Sequence, residues 1–282
     1  IMSTRTIDSW KERLVTMLVL PLISCSARLP VYALMIGAFV PAVTVWKVFN
    51  LQGLTMVLMY FLGTATAMIL SLVFSRFIKA DQKKSFIMEL PPYRIPVMQS
   101  VFRQVYMRGK LFVSGAGKII MVVSIILWFL ASFPYLDSDE HSIVDSYAAK
   151  IGHTIEPAIA PLGFDWKIGV GLITSFAARE VLVSTMATIY NVEDEGDELI
   201  KLTDALKNDM NPKTGRHVYS PLVALSLMIF YVYAAQCMAT FAIVRRETNS
   251  WKWPLFMIVY MTVLAYSASF IVYQGGIILG YS

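Results

Sequence analysis

Four stretches of this chain contain no Asp, Glu, Lys or Arg, and each is near or above the length needed to cross a lipid bilayer. They run from Val48 to Ser75, Ile119 to Leu136, Val218 to Val244 and Trp253 to Ser282. A transmembrane helix needs roughly 20 apolar residues to cross a hydrocarbon core of about 30 Å. Hydrophobic residues make up 57% of the chain and charged residues only 15%, and the mean hydropathy is +0.61. The sequence therefore predicts a membrane protein.

Two further apolar stretches are interrupted by charge. The stretch from Leu14 to Trp46 contains Arg28, and the stretch from Ile168 to Val192 contains Arg179 and Glu180. We interpret both as membrane segments, which gives about six in all. The predicted fold is an all-α polytopic transmembrane helical bundle.

Both cysteines of the chain lie where an apolar stretch is interrupted by polar residues. The first lies in "LISCSARLPVYAL", with Ser24, Ser26 and Arg28 around Cys25, and Pro30 after them. The second lies in "VYAAQCMATFAIVRR", with Gln236, Cys237 and Thr240. Paired interrupted segments indicate a transporter binding site, because unwound backbone at membrane depth is tolerated where it lines a cavity. The alternative, two reduced cysteines that act as small apolar packing residues, stays open.

Arg179 and Glu180 form a charged pair inside the apolar stretch "FAAREVLVST". An unpaired charge near the bilayer centre costs about 2.5 to 3.5 kcal/mol on insertion scales. We therefore expect this pair to face a cavity or an ion path. A structural role, in which the two residues pair with each other or with Arg28, is the alternative.

The connecting segments predict an orientation, because cytoplasmic loops carry an excess of Lys and Arg. The N-terminal residues, with Arg5, Lys11 and Arg13, and the basic connector at 76–110 are assigned to the cytoplasm. The acidic residues at 137–166 are assigned to the opposite side, and the polar loop at 193–217 by alternation to the cytoplasm. The basic segment "RRETNSWK" then falls outside if 218–244 crosses, so either the rule fails locally or 218–244 is re-entrant. The basic residues flank apolar spans, so we expect no nucleic-acid partner.

Four motifs, in this order, give the chain a specific resemblance: "SCSARLPVYAL", "ELPPYRIP", "FAAREVLVST" and "QCMATFAIVRRETNSWKWP". Together they resemble the membrane domain of the ferrous iron transport protein B (FeoB) family, from residue 1 to the last apolar span. The resemblance implies two interrupted, gate-type helices that form an iron path, with Cys25 and Cys237 as ligands. Many relatives have proline before the second cysteine, where this chain has Gln236.

The resemblance also implies a function and partners. We expect transport of Fe²⁺, as substrate, across the bacterial inner membrane by a multi-pass permease domain that is not itself an enzyme. Family members carry an N-terminal GTP-binding domain, which would hold GTP and Mg²⁺ and which this sequence does not include. Further expected partners are the lipid bilayer, small cytoplasmic Feo-type accessory proteins and, left open, further copies of the chain.

Residues and segments receive the following expected roles. Cys25, Cys237 and Glu180 are assigned to the Fe²⁺ path, and the supporting residues are Ser24, Ser26, Arg28, Pro30, Arg179, Gln236 and Thr240. The chain is divided into a first gate repeat with a following membrane helix at 1–75, the connector at 76–110, central membrane helices with an acidic loop at 111–192, the polar loop at 193–217, and a second gate repeat with the C-terminal helix at 218–282. A nucleoside-type carrier with similar gate repeats and a non-transporting membrane scaffold are the alternatives.

Overall fold

The structure is a computed structural model that describes most of the chain. The described residues are 4, 6–7, 9–23, 25–45, 49–78, 97–112, 114, 121–122, 125–126, 128–130, 133, 146–176, 179, 181–190, 198–210 and 217–280. The "ELPPYRIP" elbow and residues 137–145 of the acidic loop lie outside them, as do Ser24 and Glu180.

The described elements are almost entirely helical, as the sequence predicts. In chain order they are α1 (Trp10–Val19), 3₁₀ turns at Leu20–Leu22 and Ser26–Arg28, α2 (Leu29–Phe39), β1 (Thr44–Val45), β2 (Phe49–Asn50), α3 (Leu51–Phe77), α4 (Met98–Phe112), α5 (Tyr147–Ile159), a 3₁₀ turn at Ala160–Leu162, α6 (Trp166–Thr174), α7 (Val181–Ile189), α8 (Glu198–Asn208), α9 (Pro221–Tyr233), α10 (Met238–Thr248) and α11 (Lys252–Ile278). The two short strands pair antiparallel, with Thr44 opposite Asn50. The predicted all-α bundle is confirmed.

Three helical stretches of the described chain are long and apolar enough to span a membrane. These are α3, α11 and the α1–α2 stretch from Trp10 to Phe39. Helices α3 and α11 each have 27 residues, which at 1.5 Å per residue is about 40 Å and exceeds the hydrocarbon thickness. Asn50 caps α3 by accepting a hydrogen bond from the Gln52 backbone N–H.

Helices α9 and α10 together cross the bundle once, antiparallel to α11. At the start of α9, Leu222 lies against Gly276, and the Ser226 and Ser269 hydroxyls hydrogen-bond at 2.6 Å. Helix α10 contacts α11 and is joined to its start by the turn at 249–251. The residues 218–244 therefore cross the bundle once as a discontinuous segment, which favours the crossing over the re-entrant reading.

The α1–α2 stretch crosses in the opposite direction. At one end of the bundle Arg13 forms an ion pair with Glu247, and the Tyr260 hydroxyl donates to the Leu18 carbonyl. At the other end the Phe39 ring stacks on Tyr219. We call the first end the basic end, because it carries Arg13, Arg76, Arg245, Arg246 and Lys252, and the second the Asp209 end, which carries Phe39, Asp165, Asp209 and Tyr219.

The stretch from Ile168 to Val192 does not cross the bundle, which corrects its interpretation as a membrane span. Helices α6 and α7 form an antiparallel hairpin, with the Thr174 and Thr185 hydroxyls 2.9 Å apart. Lys167 and Tyr190, at its two ends, both bond Asp209. A Cβ atom at Gly171 would collide with Leu182 and Met186, so glycine permits the close approach of the two helices.

The hairpin changes the expected position of the polar loop at 193–217. Because α6–α7 begins and ends at the Asp209 end, α8 and Asp209 lie at the opposite end of the bundle from Arg13 and Glu247. The alternation argument placed 193–217 on the same side as the N-terminal residues, whereas the packing favours the opposite side for the described residues 198–210. The hydropathy of a hairpin and of a crossing is the same, and only the packing distinguishes them.

Candidate functional site

Three interruptions of helix meet in the middle of the bundle. They are the break between α1 and α2, the break between α9 and α10, and the tip of the α6–α7 hairpin at 175–180. At the tip, the Arg179 guanidinium donates to the Ala234 carbonyl at 2.9 Å, and the Ser175 hydroxyl lies 2.6 Å from the Tyr231 hydroxyl. The hairpin tip is thus fixed to the second break.

The first break is determined by proline and by Arg28. Pro21 lacks a backbone N–H and cannot continue the α-helical hydrogen bonds of α1, and the chain is extended at Ile23 and Cys25. The Arg28 side chain is fully buried and donates to the carbonyls of Pro21 and Leu22 at 3.1 and 3.2 Å. Arg28 therefore satisfies carbonyls that the broken helix leaves without backbone donors.

The second break forms without a proline. The backbone is extended at Ala234 and Cys237, and Gln236 stands where many relatives have proline. Gln236 is 2% exposed and its side chain interacts with Tyr231. Its Oε1 atom has no hydrogen-bond partner in the described chain. The break therefore depends on contacts with the hairpin tip and Tyr231.

The two cysteines lie at the two breaks, as expected. Cys25 precedes the 3₁₀ turn that carries Arg28 and is exposed, whereas Cys237 is the N-cap of α10 and is half-buried. Both are free thiols. In the part of the chain that the structure describes, no group of three or more His, Cys, Asp or Glu side chains is placed to hold a metal ion.

Some backbone carbonyl oxygens at the breaks accept hydrogen bonds from arginine side chains, and others accept none from the described residues. Arginine side chains engage those of Pro21, Leu22 and Ala234. Among the described residues, the carbonyls of Ile23, Ala235 and Gln236 accept no hydrogen bond. These three oxygens, together with the two thiols, form the described donor set at the breaks.

The electrostatics of the site are dominated by two buried cations. Arg28 is 0% exposed and Arg179 is 4% exposed, and their charges interact across the space between the breaks, with Tyr32 and Cys25 in the same neighbourhood. The Nε and Nη1 atoms of Arg179 have no partner among the described residues. The described residues therefore bring two positive charges to the breaks, and a transported cation would need a compensating negative charge there.

The other expected site residues have the following positions. Ser26 and Pro30 are exposed, and Thr240 is half-buried next to the Cys237 carbonyl, which accepts its backbone N–H at 3.0 Å. Ser24 and Glu180 lie outside the described residues, so their positions stay predictions. Arg28 and Arg179 are brought together, and both bond the broken backbone.

Sequence reasoning missed the tyrosines that hold the breaks. Tyr231 bonds Ser175, and the Tyr233 hydroxyl lies 2.9 Å from Thr66 on α3. Tyr32 is fully buried beside Arg28. A tyrosine within an apolar helix needs a partner for its hydroxyl when it is buried, and that signal was available in "FYVYAAQC".

A polar cluster holds the hairpin at the Asp209 end. The Asp209 carboxylate accepts from Lys167 Nζ at 2.6 Å and from the Tyr190 hydroxyl at 2.5 Å. Asp165 caps α6 by accepting from the Ile168 backbone N–H at 3.0 Å. Burial raises the pKa of Asp165 to about 6, although the Ile168 hydrogen bond and Lys167 oppose the rise.

Comparison with known proteins gives two family models and several close relatives. Residues 56–108 match the model of the ferrous iron transport protein B C terminus, and residues 113–251 match the Gate model, described as nucleoside recognition. The chain is 45% identical over 285 residues to the Fe(2+) transporter FeoB of Leptospira biflexa and 46% identical over 286 residues to that of Leptospira interrogans. No solved structure matches the chain significantly.

The matches cover nearly all of this chain and less than half of each relative. The Leptospira biflexa alignment spans 100% of the chain and 41% of the relative, and the Leptospira interrogans alignment spans 97% and 40%. A protein of Porphyromonas gingivalis named as a fusion of Fe(2+) transport protein A and Fe(2+) transporter FeoB is 36% identical over 99% of the chain and 36% of its own length. The chain belongs to the FeoB family and corresponds to the C-terminal part of its members.

Proposed function

We propose that this chain is part of the permease domain that carries Fe²⁺ across the bacterial inner membrane. The observation that supports this most directly is the meeting of two antiparallel, discontinuous crossings, each with a cysteine at its break. Discontinuous helices at mid-membrane are the usual place for ion sites in transporters, because broken backbone supplies oxygen ligands there. The identity of the ion, Fe²⁺, is taken from the names of the relatives.

In this proposal Cys25 and Cys237 are transient ligands of Fe²⁺. Thiolates suit soft and borderline metals, and the available carbonyls of Ile23, Ala235 and Gln236 add oxygen ligands. A thiol must lose its proton to bind a metal ion.

Glu180 supplies the negative charge along the path in this proposal, because it is the acidic residue that follows Arg179 in the sequence. Arg28 and Arg179 act as positioning residues, since both bond carbonyls of the breaks. Ser24, Ser26, Thr240 and Gln236 provide a polar surface for the hydrated ion, and Pro30 stands in the first turn of α2.

We further propose that the basic end faces the cytoplasm. The structure places Arg13, Arg76, Arg245 and Arg246 at one end, so the "RRETNSWK" segment agrees with the positive-inside rule once 168–192 is a hairpin. The GTP-binding domain of the full-length protein, with its GTP and Mg²⁺, and a protein A-type accessory partner then act from this side. The fusion protein of Porphyromonas gingivalis supports that partner.

A nucleoside carrier is the second candidate, because the Gate match is described as nucleoside recognition. The described breaks offer it few side chains for hydrogen-bonding a sugar and a base. The Oε1 atom of Gln236, which has no hydrogen-bond partner among the described residues, is one acceptor that a nucleoside could use. A non-transporting scaffold leaves the placement of a cysteine at each of the two breaks without a role.

The test measures uptake of radioactive Fe²⁺ by the full-length protein in proteoliposomes under reducing conditions. Cys25→Ser and Cys237→Ser should each lower uptake, and the double variant should lower it at least as far, with protein in the membrane unchanged. Ser75→Ala, at the exposed end of α3, is the matched control. Undiminished uptake by the double variant would mean that the thiols only pack. Uptake of uridine that is blocked by the same substitutions would favour the nucleoside carrier.

A further inference from the structure

The turn between α10 and α11 forms an open basic cleft at the basic end. The cleft has a volume of about 380 Å³ and is lined by Ala242, Arg245, Arg246, Asn249, Ser250 and Trp251. It lies at the far end of α10 from Cys237 and is not part of the proposed ion path.

The backbone of the turn holds the lining residues in place. Asn249 has a left-handed conformation, with φ of 50°, which ends α10 and reverses the chain. The Thr248 hydroxyl donates to the carbonyls of Val244 and Ser250 at 2.7 and 3.2 Å, and the Ser250 hydroxyl accepts from the Lys252 backbone N–H. The cleft therefore has a fixed shape before any ligand binds.

Two arginines supply positive charge to the cleft. The Arg245 guanidinium lies 3.9 Å from the centre of the Trp251 ring, a cation–π contact that holds the arginine at the cleft wall. Arg245 and Arg246 are both exposed, and neither forms an ion pair with an acidic side chain of the described chain. Glu247, the nearest acidic residue in sequence, is engaged by Arg13.

The surroundings of the cleft are those of a membrane interface. Trp251 is 63% exposed, and it stands at the start of α11, whose outward face continues with Leu255, Val259 and Val263. Tryptophan and basic residues at the end of a spanning helix mark the headgroup level of the bilayer. A ligand here meets two guanidinium groups at the cleft and an apolar helix surface directly beside it.

We propose that this cleft binds the phosphate headgroup of an anionic phospholipid, with its acyl chains along the outward face of α11. Arg245 and Arg246 pair with the phosphate, and Asn249 and Ser250 hydrogen-bond the glycerol part of the headgroup. A guanidinium group bonds a phosphate through two parallel N–H donors. A zwitterionic headgroup also carries a cation, which repels the arginines, so we expect it to bind less tightly than an anionic headgroup. The inference depends on α11 spanning the membrane and not on which substrate is carried.

The test is native mass spectrometry of the delipidated full-length protein titrated with phosphatidylglycerol, phosphatidylcholine or inorganic phosphate. We expect phosphatidylglycerol to bind about thirtyfold more tightly than phosphatidylcholine, since two basic residues contribute. The variant Arg245→Gln with Arg246→Gln should remove this preference. The matched control Arg76→Gln with Arg103→Gln, which removes two arginines elsewhere in the chain, should keep it.

Equal binding of the two lipids would overturn the proposal, and so would an unchanged lipid preference in the Arg245–Arg246 variant. A third contradicting outcome is saturation of the cleft by inorganic phosphate alone at the same concentration as the lipid. The last result would identify a soluble phosphate compound as the ligand. Because both arginines are exposed, the lipid-free variant should unfold at the same temperature as the wild type. Trp251→Phe keeps an aromatic ring beneath Arg245 and should retain most of the preference.

Discussion

The direction in which each interrupted segment runs is the sharpest consequence of the fold. Helices α9 and α10 have 13 and 11 residues, so they are about 20 and 17 Å long, and neither alone reaches across a hydrocarbon core of about 30 Å. Laid end to end alongside α11, they reach from one face to the other. A re-entrant arrangement of the same two helices would begin and end on one face.

The perturbation is the introduction of single cysteines as accessibility reporters in the full-length protein, with Cys25 and Cys237 replaced by serine. Asn208→Cys reports the Asp209 end, and Asn249→Cys reports the basic end. A membrane-impermeant maleimide added to intact spheroplasts should label Asn208→Cys, and Asn249→Cys should react only after the membrane is opened. The reason is that 218–244 separates the two positions by one complete crossing.

A second pair of reporters tests the hairpin. His153→Cys lies beside Trp166 at the start of α6, and Asn208→Cys follows the end of α7. Because α6–α7 returns to the end from which it started, both should react from the same side. The crossing would be refuted if Asn208→Cys and Asn249→Cys were labelled from the same side. The hairpin would be refuted if His153→Cys and Asn208→Cys were labelled from opposite sides.

Three further predictions concern single residues. Tyr231→Phe removes the hydrogen bond to Ser175 and should lower the free energy of unfolding by about 0.5 to 1.5 kcal/mol. Denaturation in detergent measures this change, and Tyr106→Phe, at an exposed tyrosine, is the control. An unchanged free energy of unfolding would contradict the prediction. Burial raises the pKa of Asp165 in the folded state from its usual 3.8 to about 6, so the folded state holds the proton more tightly and stability falls as pH rises from about 4 to 6. Asp165→Asn should remove this loss, which is on the order of 3 kcal/mol. Identical melting-temperature profiles of the two proteins between pH 4 and 8 would exclude it. Glu180→Gln should reduce Fe²⁺ flux at unchanged protein level if Glu180 compensates the ion's charge, whereas a loss of folding yield that Arg179→Gln restores would assign it a structural role; full flux would exclude it from the path.

The helical class and the positions of the breaks were predictable because their causes are local. Apolar length determines whether α3 and α11 span. Pro30, which the sequence associates with the first break, stands in the first turn of α2, where proline is tolerated, and α1 ends just before Pro21 instead. The cysteines mark both breaks in the sequence and in the structure. The second break, with Gln236 and no proline, was predictable from the resemblance and from the polar residues around it.

The hairpin at 168–192 was not predictable from hydropathy, because a buried hairpin and a crossing both need apolar residues throughout. What distinguishes them is the contact of Gly171 with Leu182 and Met186 and the Thr174–Thr185 hydrogen bond, and neither is visible without the fold. Because 168–192 is a hairpin, α8 in the loop at 193–217 lies at the Asp209 end. The "RRETNSWK" segment then lies at the same end of the bundle as Arg76, the first residue of the basic connector.

The two buried arginines explain why the donor set at the breaks is small. A broken helix exposes several carbonyls, which would hold a hard cation such as Mg²⁺ or Ca²⁺ well, because oxygen is the ligand that those ions prefer. Arg28 and Arg179 occupy the carbonyls of Pro21, Leu22 and Ala234, so fewer oxygens remain and the thiols become a larger share of the donors. The positive charge also weakens the hold on any cation that stops at the breaks. An arrangement of this kind favours brief binding of a borderline metal ion over tight binding of a hard one, as the proposed transport of Fe²⁺ would require.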